Sequence, residues 1–327
     1  MINRRAFATG LGALLAAPLG AARAQQAGKV YRVGYLSGIA DPSVPRIETF
    51  RQAMAALGWK DGHNVVIEYR SAAGNNDRFA ELAADLVHRG VDVIVAQIPA
   101  AVLAVAKETQ TIPVVMVNAP DPVQLGLAAS LARPGGNITG LTTLSADLSG
   151  KQFELLKALI PRLARVAILL NPTNPWHPVA LDGIAARAKL LQVVINAVSV
   201  RDPDQLDASF ETMVREQSGA VHVLADPMTV SARSRVAGLA LKHRLPAMGS
   251  VRETAEAGFL ASYWPDSEDL NRRAATYVDR ILRGARPGDL PIEQPTKYDF
   301  LINLKTARAL GLTIPQSVLL RADRVIE

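Results

Sequence analysis

Short runs that are apolar at nearly every position recur along this chain, each followed by an amphipathic stretch, and this alternation limits what it can fold into. It is clearest between Val91 and Leu144, where Val91–Ala96, Val114–Val117 and Ile138–Leu141 are separated by segments that begin just after a proline. Runs without polar alternation suit parallel strands covered on both faces. Strand alternating with helix implies a parallel sheet, in which loops at the strands' carboxyl ends line a ligand crevice. Those loops hold Gln97-Ile98-Pro99-Ala100 and Asn118-Ala119-Pro120-Asp121-Pro122, placing amides, small residues and a carboxylate where a ligand would sit.

The pattern continues on both sides. Val30–Leu36 reads as a first strand ending in Ser37-Gly38, followed by a helix from Pro45 to Leu57 stopped by Gly58. Val65–Tyr69 is a second strand, and a helix over Asp77–Arg89 ends at Gly90, so one five-strand unit closes near Thr143. After a helix over Leu148–Leu159 a second unit begins, with strands at Val166–Asn171, Val193–Val198, Ala220–Ala225, Ala247–Ser250 and Phe259–Tyr263. Helices over Val179–Leu191, Pro203–Glu216 and Ser231–Arg244 separate them. What remains, a helix over Ser267–Arg283, a strand Tyr298–Asn303 and a short helix Lys305–Leu310, is too little for a third domain and is expected to cross back between the lobes. The fold class expected is therefore α/β, with two doubly wound parallel-sheet lobes joined by a multi-strand hinge. The amino-terminal lobe is drawn over residues 29–143 plus 264–284, and the carboxy-terminal lobe over residues 144–263 plus 285–327.

Residues 1–24 are set apart as a signal peptide. Asn3-Arg4-Arg5-Ala6-Phe7 precedes an apolar run to Leu19, too short to span a bilayer as a stable helix, and Ala22-Arg23-Ala24 is a small-x-small cleavage site. Cleavage is expected after Ala24, which places the protein in the periplasm; the Arg-Arg pair is compatible with the twin-arginine route. The whole chain has 36 basic and 30 acidic residues, net +6. Without the leader's Arg4, Arg5 and Arg23 the balance is 33 against 30, or +3. No basic cluster marks one face, so nucleic acid is not an expected partner. With no cysteine there is neither a disulfide framework nor thiolate chemistry.

Candidate site residues carry structural readings beside the functional ones. Asp121 before Pro122 suits the N-cap of a helix expected over Val123–Ala132, and Asp226-Pro227 has the same form. Asn171 and Asn174 belong to an Asn-Pro turn, and Trp176 sits in a polar, proline-rich loop where it either packs or meets a ligand. Gly135-Gly136 supplies positive φ rather than a phosphate cradle, since no GxxxxGK[ST] is present. The five histidines, His63, His88, His177, His222 and His243, are scattered without metal-ligand spacing, and there is no GxSxG. Neither an enzyme nor a metal or other cofactor is expected.

A resemblance enters through Asp121-Pro122-Val123 with Gly126, then Ser130-Leu131-Ala132-Arg133-Pro134-Gly135-Gly136-Asn137-Ile138-Thr139-Gly140. Near the end it is carried by Leu290-Pro291, Pro295-Thr296-Lys297-Tyr298, Ile302 through Ala307 and Leu310 through Pro315. The chain resembles the ABC-transporter substrate-binding proteins of the type I periplasmic-binding fold, some of them similar to tryptophan and other aromatic amino-acid binders. The resemblance implies an extracytoplasmic, monomeric protein that captures a small-molecule solute, with an amino acid or aromatic compound as the candidate classes, and delivers it to an ABC permease in the membrane. A ligand-sensing ectodomain for a membrane receptor is the alternative, and a small-molecule enzyme a more remote one. It implies that Ser37, Gln97, Pro99, Ala100, Asp121, Asn171, Asp226 and Ser250 face the ligand, with Trp176 added from its loop. Aromatic-binding relatives commonly have Thr before Pro-Ala-Ala; here Ile98 removes that hydroxyl.

Overall fold

The computed structural model describes residues 29–40, 45–119, 121–143 and 145–327. The signal peptide, its cleavage after Ala24 and the arginine pair lie outside them. The first unit contains β1 (Tyr31–Ser37), α1 (Pro45–Ala56), β2 (Val65–Ser71), α2 (Phe79–His88), β3 (Val93–Ala96), α3 (Pro99–Glu108), β4 (Val114–Ala119) and β5 (Ile138–Thr142). All pairings in its sheet are parallel, in the order β2-β1-β3-β4-β5. β3 is buried along its whole length, which is why its run Val-Ile-Val-Ala needs no polar alternation.

The second unit contains α4 (Ser145–Leu159), β6 (Arg165–Leu170), α5 (His177–Leu190), β7 (Val194–Ser199), α6 (Leu206–Arg215), β8 (Ala220–Val223), α7 (Pro227–Ser231), α8 (Arg233–Lys242), β9 (Ala247–Gly249), α9 (Arg252–Glu256) and β10 (Ala261–Pro265). The chain ends with α10 (Ser267–Leu282), β11 (Tyr298–Asn303), α11 (Leu304–Leu310), α12 (Gln316–Leu319) and β12 (Arg324–Ile326). The second sheet runs β12-β11-β10-β9-β8-β6-β7, parallel throughout except where β11 returns antiparallel to β10. The molecule is thus two α/β lobes.

The helix α10 packs on the first sheet: Leu270, Ala274, Val278 and Ile281 share a core with Val33 and Tyr35 of β1 and Phe50 of α1. The packing beyond α10 corrects the lobe boundary expected after residue 284. Leu290 joins that same core, Ile292 packs on the sheet's other face, and Leu141 bridges to Glu293. Residues 285–293 therefore belong with the first sheet, because their apolar side chains alternate into its two cores before the chain leaves. Passages between the lobes follow β5, β10 and Glu293, and the backbone N–H of Asp266 on the second donates to Lys297 O on the third (3.1 Å).

The expected helix Val123–Ala132 does not form. Turns replace it, with Leu127 N–H donating to Pro122 O (2.8 Å) and Gly126 in the left-handed region at φ 69°. A left-handed residue there ends the turn, and the Leu131 carbonyl accepts from Ile292 N–H (2.7 Å) instead of a helical partner. Gly135 is left-handed as expected, at φ 79°, and its N–H donates to Gly288 O (3.1 Å). The single helix expected over Ser231–Arg244 is divided between α7 and α8 around Ala232.

Candidate functional site

Both sheets share one strand order at their centres, 2-1-3-4-5 in the first and 7-6-8-9-10 in the second. In each, the chain reverses its direction of travel across the sheet between two adjacent strands, and the carboxyl ends there leave a crevice. In the first lobe those ends hold Ser37, after which the chain turns at Gly38, and Gln97; in the second they hold Asn171 and Asp226. The two crevices face each other across a cavity of about 1000 Å³, part of it open to solvent.

The floor on the first lobe is a chain of buried polar groups. The Ser37 hydroxyl donates to Gln97 Oε1 (3.1 Å), Gln97 Nε2 to Asn271 Oδ1 (3.4 Å), and the Tyr35 hydroxyl to the same Asn271 oxygen (2.6 Å). Asn271 Nδ2 is fixed in turn by Ser267 O (2.7 Å). Burial raises the Tyr35 phenol well above its ordinary pKa, so it stays a donor.

The second lobe's wall centres on Asp226, which is 2% exposed. Its Oδ1 accepts from Asn171 Nδ2 (3.2 Å) and Met228 N–H (2.9 Å), and its Oδ2 from Asn174 Nδ2 (3.0 Å) and Asn76 Nδ2 (3.0 Å). The Met228 bond is an N-cap on α7, as the Asp-Pro pair predicted. The Asn76 bond comes from the other lobe. Other contacts also bridge the lobes: the Arg46 guanidinium pairs with Glu253, Arg252 Nη1 meets Glu268 of α10 (3.2 Å), and a Cβ on Gly38 would stand 2.6 Å from Pro227 Cγ. Burial alone would raise the Glu253 carboxyl; Arg46 outweighs it and holds the group below its ordinary range. The lobes are closed on each other.

Beneath Asp226 lies His177, buried and neutral. Its Nε2–H donates to Ala225 O (3.1 Å), which leaves Nδ1 to accept from Asn171 N–H (2.9 Å). Burial lowers its pKa against the pull of Asp226 and the two backbone groups. His222, on β8, is pushed down to about 3 by burial, and its Nε2 meets Gln152 Oε1 (3.1 Å). Among the described residues no group of three His, Asp or Glu side chains could hold a metal ion.

Of the residues named from the sequence, Gln97, Pro99, Trp176 and Asp226 line the cavity. Ser37 and Asn171 stand behind it, orienting Gln97 and Asp226. Ala100, Asp121 and Ser250 are not in its lining. Asp121 keeps its local role, accepting from Val123 N–H (2.9 Å) and Gln124 N–H (3.2 Å), but at the rim of the first lobe rather than on a wall facing Asp226. Ser250 is buried one residue before Val251, which does line the cavity. Sequence reasoning missed Arg46, Gln152, Trp264 and Asn271. A signal existed for two of them: Gln152 falls in register with Leu148, Leu155, Leu156 and Leu159, and Asn271 with Leu270, Ala274, Ala275 and Val278. Each is a polar residue on an apolar helical stripe.

Residues 36–326 match the model of a family described as ABC transporter substrate binding protein. A tyrosine-binding protein of Clostridioides difficile (strain R20291) is 26% identical over 286 residues, 87% of this chain and 82% of that one. A crystal structure described as an ABC domain in complex with L-Trp, from Streptococcus pneumonia, superposes with a TM-score of 0.82 at 28% identity, covering 90% of this chain and 99% of that one. A conserved domain protein of Vibrio cholerae gives a TM-score of 0.83 at 26% identity over 91% of this chain and 100% of that one. Among the described residues no helix is long and apolar enough to cross a membrane.

Proposed function

The chain belongs to the ABC transporter substrate-binding protein family, and on that premise we propose that it traps a flat, largely apolar solute between its lobes outside the cytoplasm. The observation that carries this reading is the shared cavity itself. Trp176, Ile98, Leu224, Val230 and Leu270 supply apolar surface from both lobes, while amides are confined to a few fixed points. Such a site suits an aromatic body with a small polar end. The tyrosine and tryptophan named for two relatives fall in that class. The reading is binding rather than catalysis, supported by His177, whose two ring nitrogens are both committed to backbone groups. In the cell the closed form would dock on an ABC permease as a monomer, after export and cleavage following Ala24.

The moving bodies in this reading are residues 29–143 with 264–293, and 144–263 with 294–327. A ligand shifts such an equilibrium only through tighter binding to the closed state. Titration calorimetry of the mature chain, freed of carried-over ligand by unfolding and refolding, tests it against aromatic amino acids, aromatic acids and sugars. Binding of an aromatic member with a smaller radius of gyration in solution scattering is expected. Binding of sugars alone would overturn the aromatic reading, and binding with unchanged scattering would overturn capture by closure.

A further inference from the structure

Resting on the aromatic-solute reading, we infer that the cleft recognises its solute by an acceptor end, a carboxylate or carbonyl offered to Arg46 of one lobe and Trp176 of the other, and holds no unpaired negative charge for a solute ammonium. The case is a census of the cavity's polar atoms. Among the described residues Asp226 is the single acidic one lining it, and a carboxylate offers about four acceptor sites. All four are occupied, by Asn171, Met228, Asn174 and Asn76.

The amide oxygens, with two lone pairs each, are partly committed. Gln97 Oε1 accepts from Ser37 and Gln152 Oε1 from His222; Asn174 Oδ1 accepts from Trp176 N–H (3.1 Å), and Asn271 Oδ1 from Tyr35 and Gln97. Their orientations are not interchangeable. Asp226 only accepts, so Asn174 must turn its NH2 toward it, and carbonyls of Ser267 and Tyr263 hold the NH2 groups of Asn271 and Gln152. An ammonium would therefore meet neutral acceptors only, namely Asn118, the hydroxyls of Ser149 and Ser267 and the second lone pairs of the amide oxygens, and no unsatisfied charge.

The unmet demand lies on the opposite side. Trp176 and Arg46 line this cavity, and Trp176 Nε1 and Arg46 Nε are buried without a hydrogen-bond partner. Both are N–H donors, and a buried donor without a partner is unfavourable until a ligand acceptor meets it. Arg46 also brings positive charge, while its partner Glu253 lies outside the lining of this cavity. Because one donor comes from each lobe, an acceptor that satisfies both favours closure directly.

Two ligand series and two pairs of variants decide this by calorimetry on the mature chain. Indole-3-propionate, which is tryptophan without its ammonium, is expected to bind within about threefold of tryptophan, and tryptamine, which lacks the carboxylate, at least tenfold more weakly than either. Trp176→Phe keeps the ring and removes the N–H, and should weaken indole-3-propionate by about tenfold. Arg46→Met should cost more than Glu253→Gln, since both break the ion pair between lobes but only the first removes the donor. Asp226→Asn should weaken all bound members by one common factor, as a closure contact would. Tenfold weaker binding on removal of the ammonium, equal binding of tryptamine, or a selective loss of tryptophan in Asp226→Asn would each overturn the inference while leaving aromatic capture intact. If no indole compound or aromatic acid binds to the folded protein, the reading on which the inference rests fails with it.

Discussion

Two Asp-Pro turns, one in each lobe, start from the same local sequence and end in different roles. Asp121 and Asp226 both follow a buried strand and both accept from the N–H two residues on, at 2.9 Å in each case. There the likeness stops. Asp226 is followed by a helix, is 2% exposed and gathers three asparagine amides, one of them from the other lobe. Asp121 is followed by turns that end at a left-handed Gly126, and its other bond is to Gln124 N–H in the same turn. The difference teaches that a cap is local chemistry, while a cleft wall is made by the neighbouring strand. Asn171 and Asn174 come from the end of β6, beside β8 in the sheet, and they surround Asp226 with donors.

The largest expected effect separates the lobes by pH. His177 and His222 are buried in the second lobe, whereas His63 and His88 are exposed in the first. His222 has its pKa lowered from 6.5 to about 3, so between those values the unfolded state binds a proton that the folded state does not. Its contribution is whole above pH 6.5 and is lost as pH falls, at about 1.4 kcal/mol per unit down to about pH 3. His177 acts in the same direction. Urea midpoints measured from pH 7 to pH 4 should fall steeply, and less steeply in His222→Gln. Parallel curves for the two proteins would remove His222 as the cause.

Next comes the contrast between the carboxylates. Asp226→Ala strands Asn171, Asn174 and Asn76 without their acceptor, and each buried unpaired group costs about 1–3 kcal/mol, so a stability loss of roughly 3 kcal/mol is expected with weakened closure. Asn76→Ala removes only the bond between lobes. It should leave the melting temperature of the ligand-free protein within about 2 °C and weaken solute binding by roughly tenfold, about 1.4 kcal/mol. Asp121→Ala, the smallest, should cost about 0.5–1 kcal/mol of stability through the lost turn hydrogen bonds and leave the dissociation constant unchanged. A binding defect in Asp121→Ala equal to that of Asp226→Ala would erase the distinction drawn between the two turns.

How much of this is legible in the residues depends on the range of the interactions. The strands β1, β3, β4, β6 and β8 can be read because burial on both faces leaves a continuous apolar run. β12 could not, since Arg-Val-Ile at the chain's end has no pattern until it finds β11. The helix expected after Pro122 failed at Gly126, a residue whose left-handed φ depends on the turn it completes. The side chains of Ser37 and Asn171, expected to face the ligand, bond Gln97 and Asp226, a pairing that no local pattern in the chain foretells.

What periodicity and contacts within a few residues made legible was two α/β modules, the strand ends that would border a cleft, the cap that Asp226 places on α7 and the turn at Asp121. Only the tertiary structure decided which of those strand-end groups meets the cavity. It brought Arg46 and Asn271 to that cavity from helices 225 positions apart, and it consumed the acceptors of Asp226 with amides from three separate segments. The physical reason is that a hydrogen-bonding group's availability depends on every donor and acceptor around it, and those neighbours are assembled by the packing of two sheets rather than by adjacency in the chain.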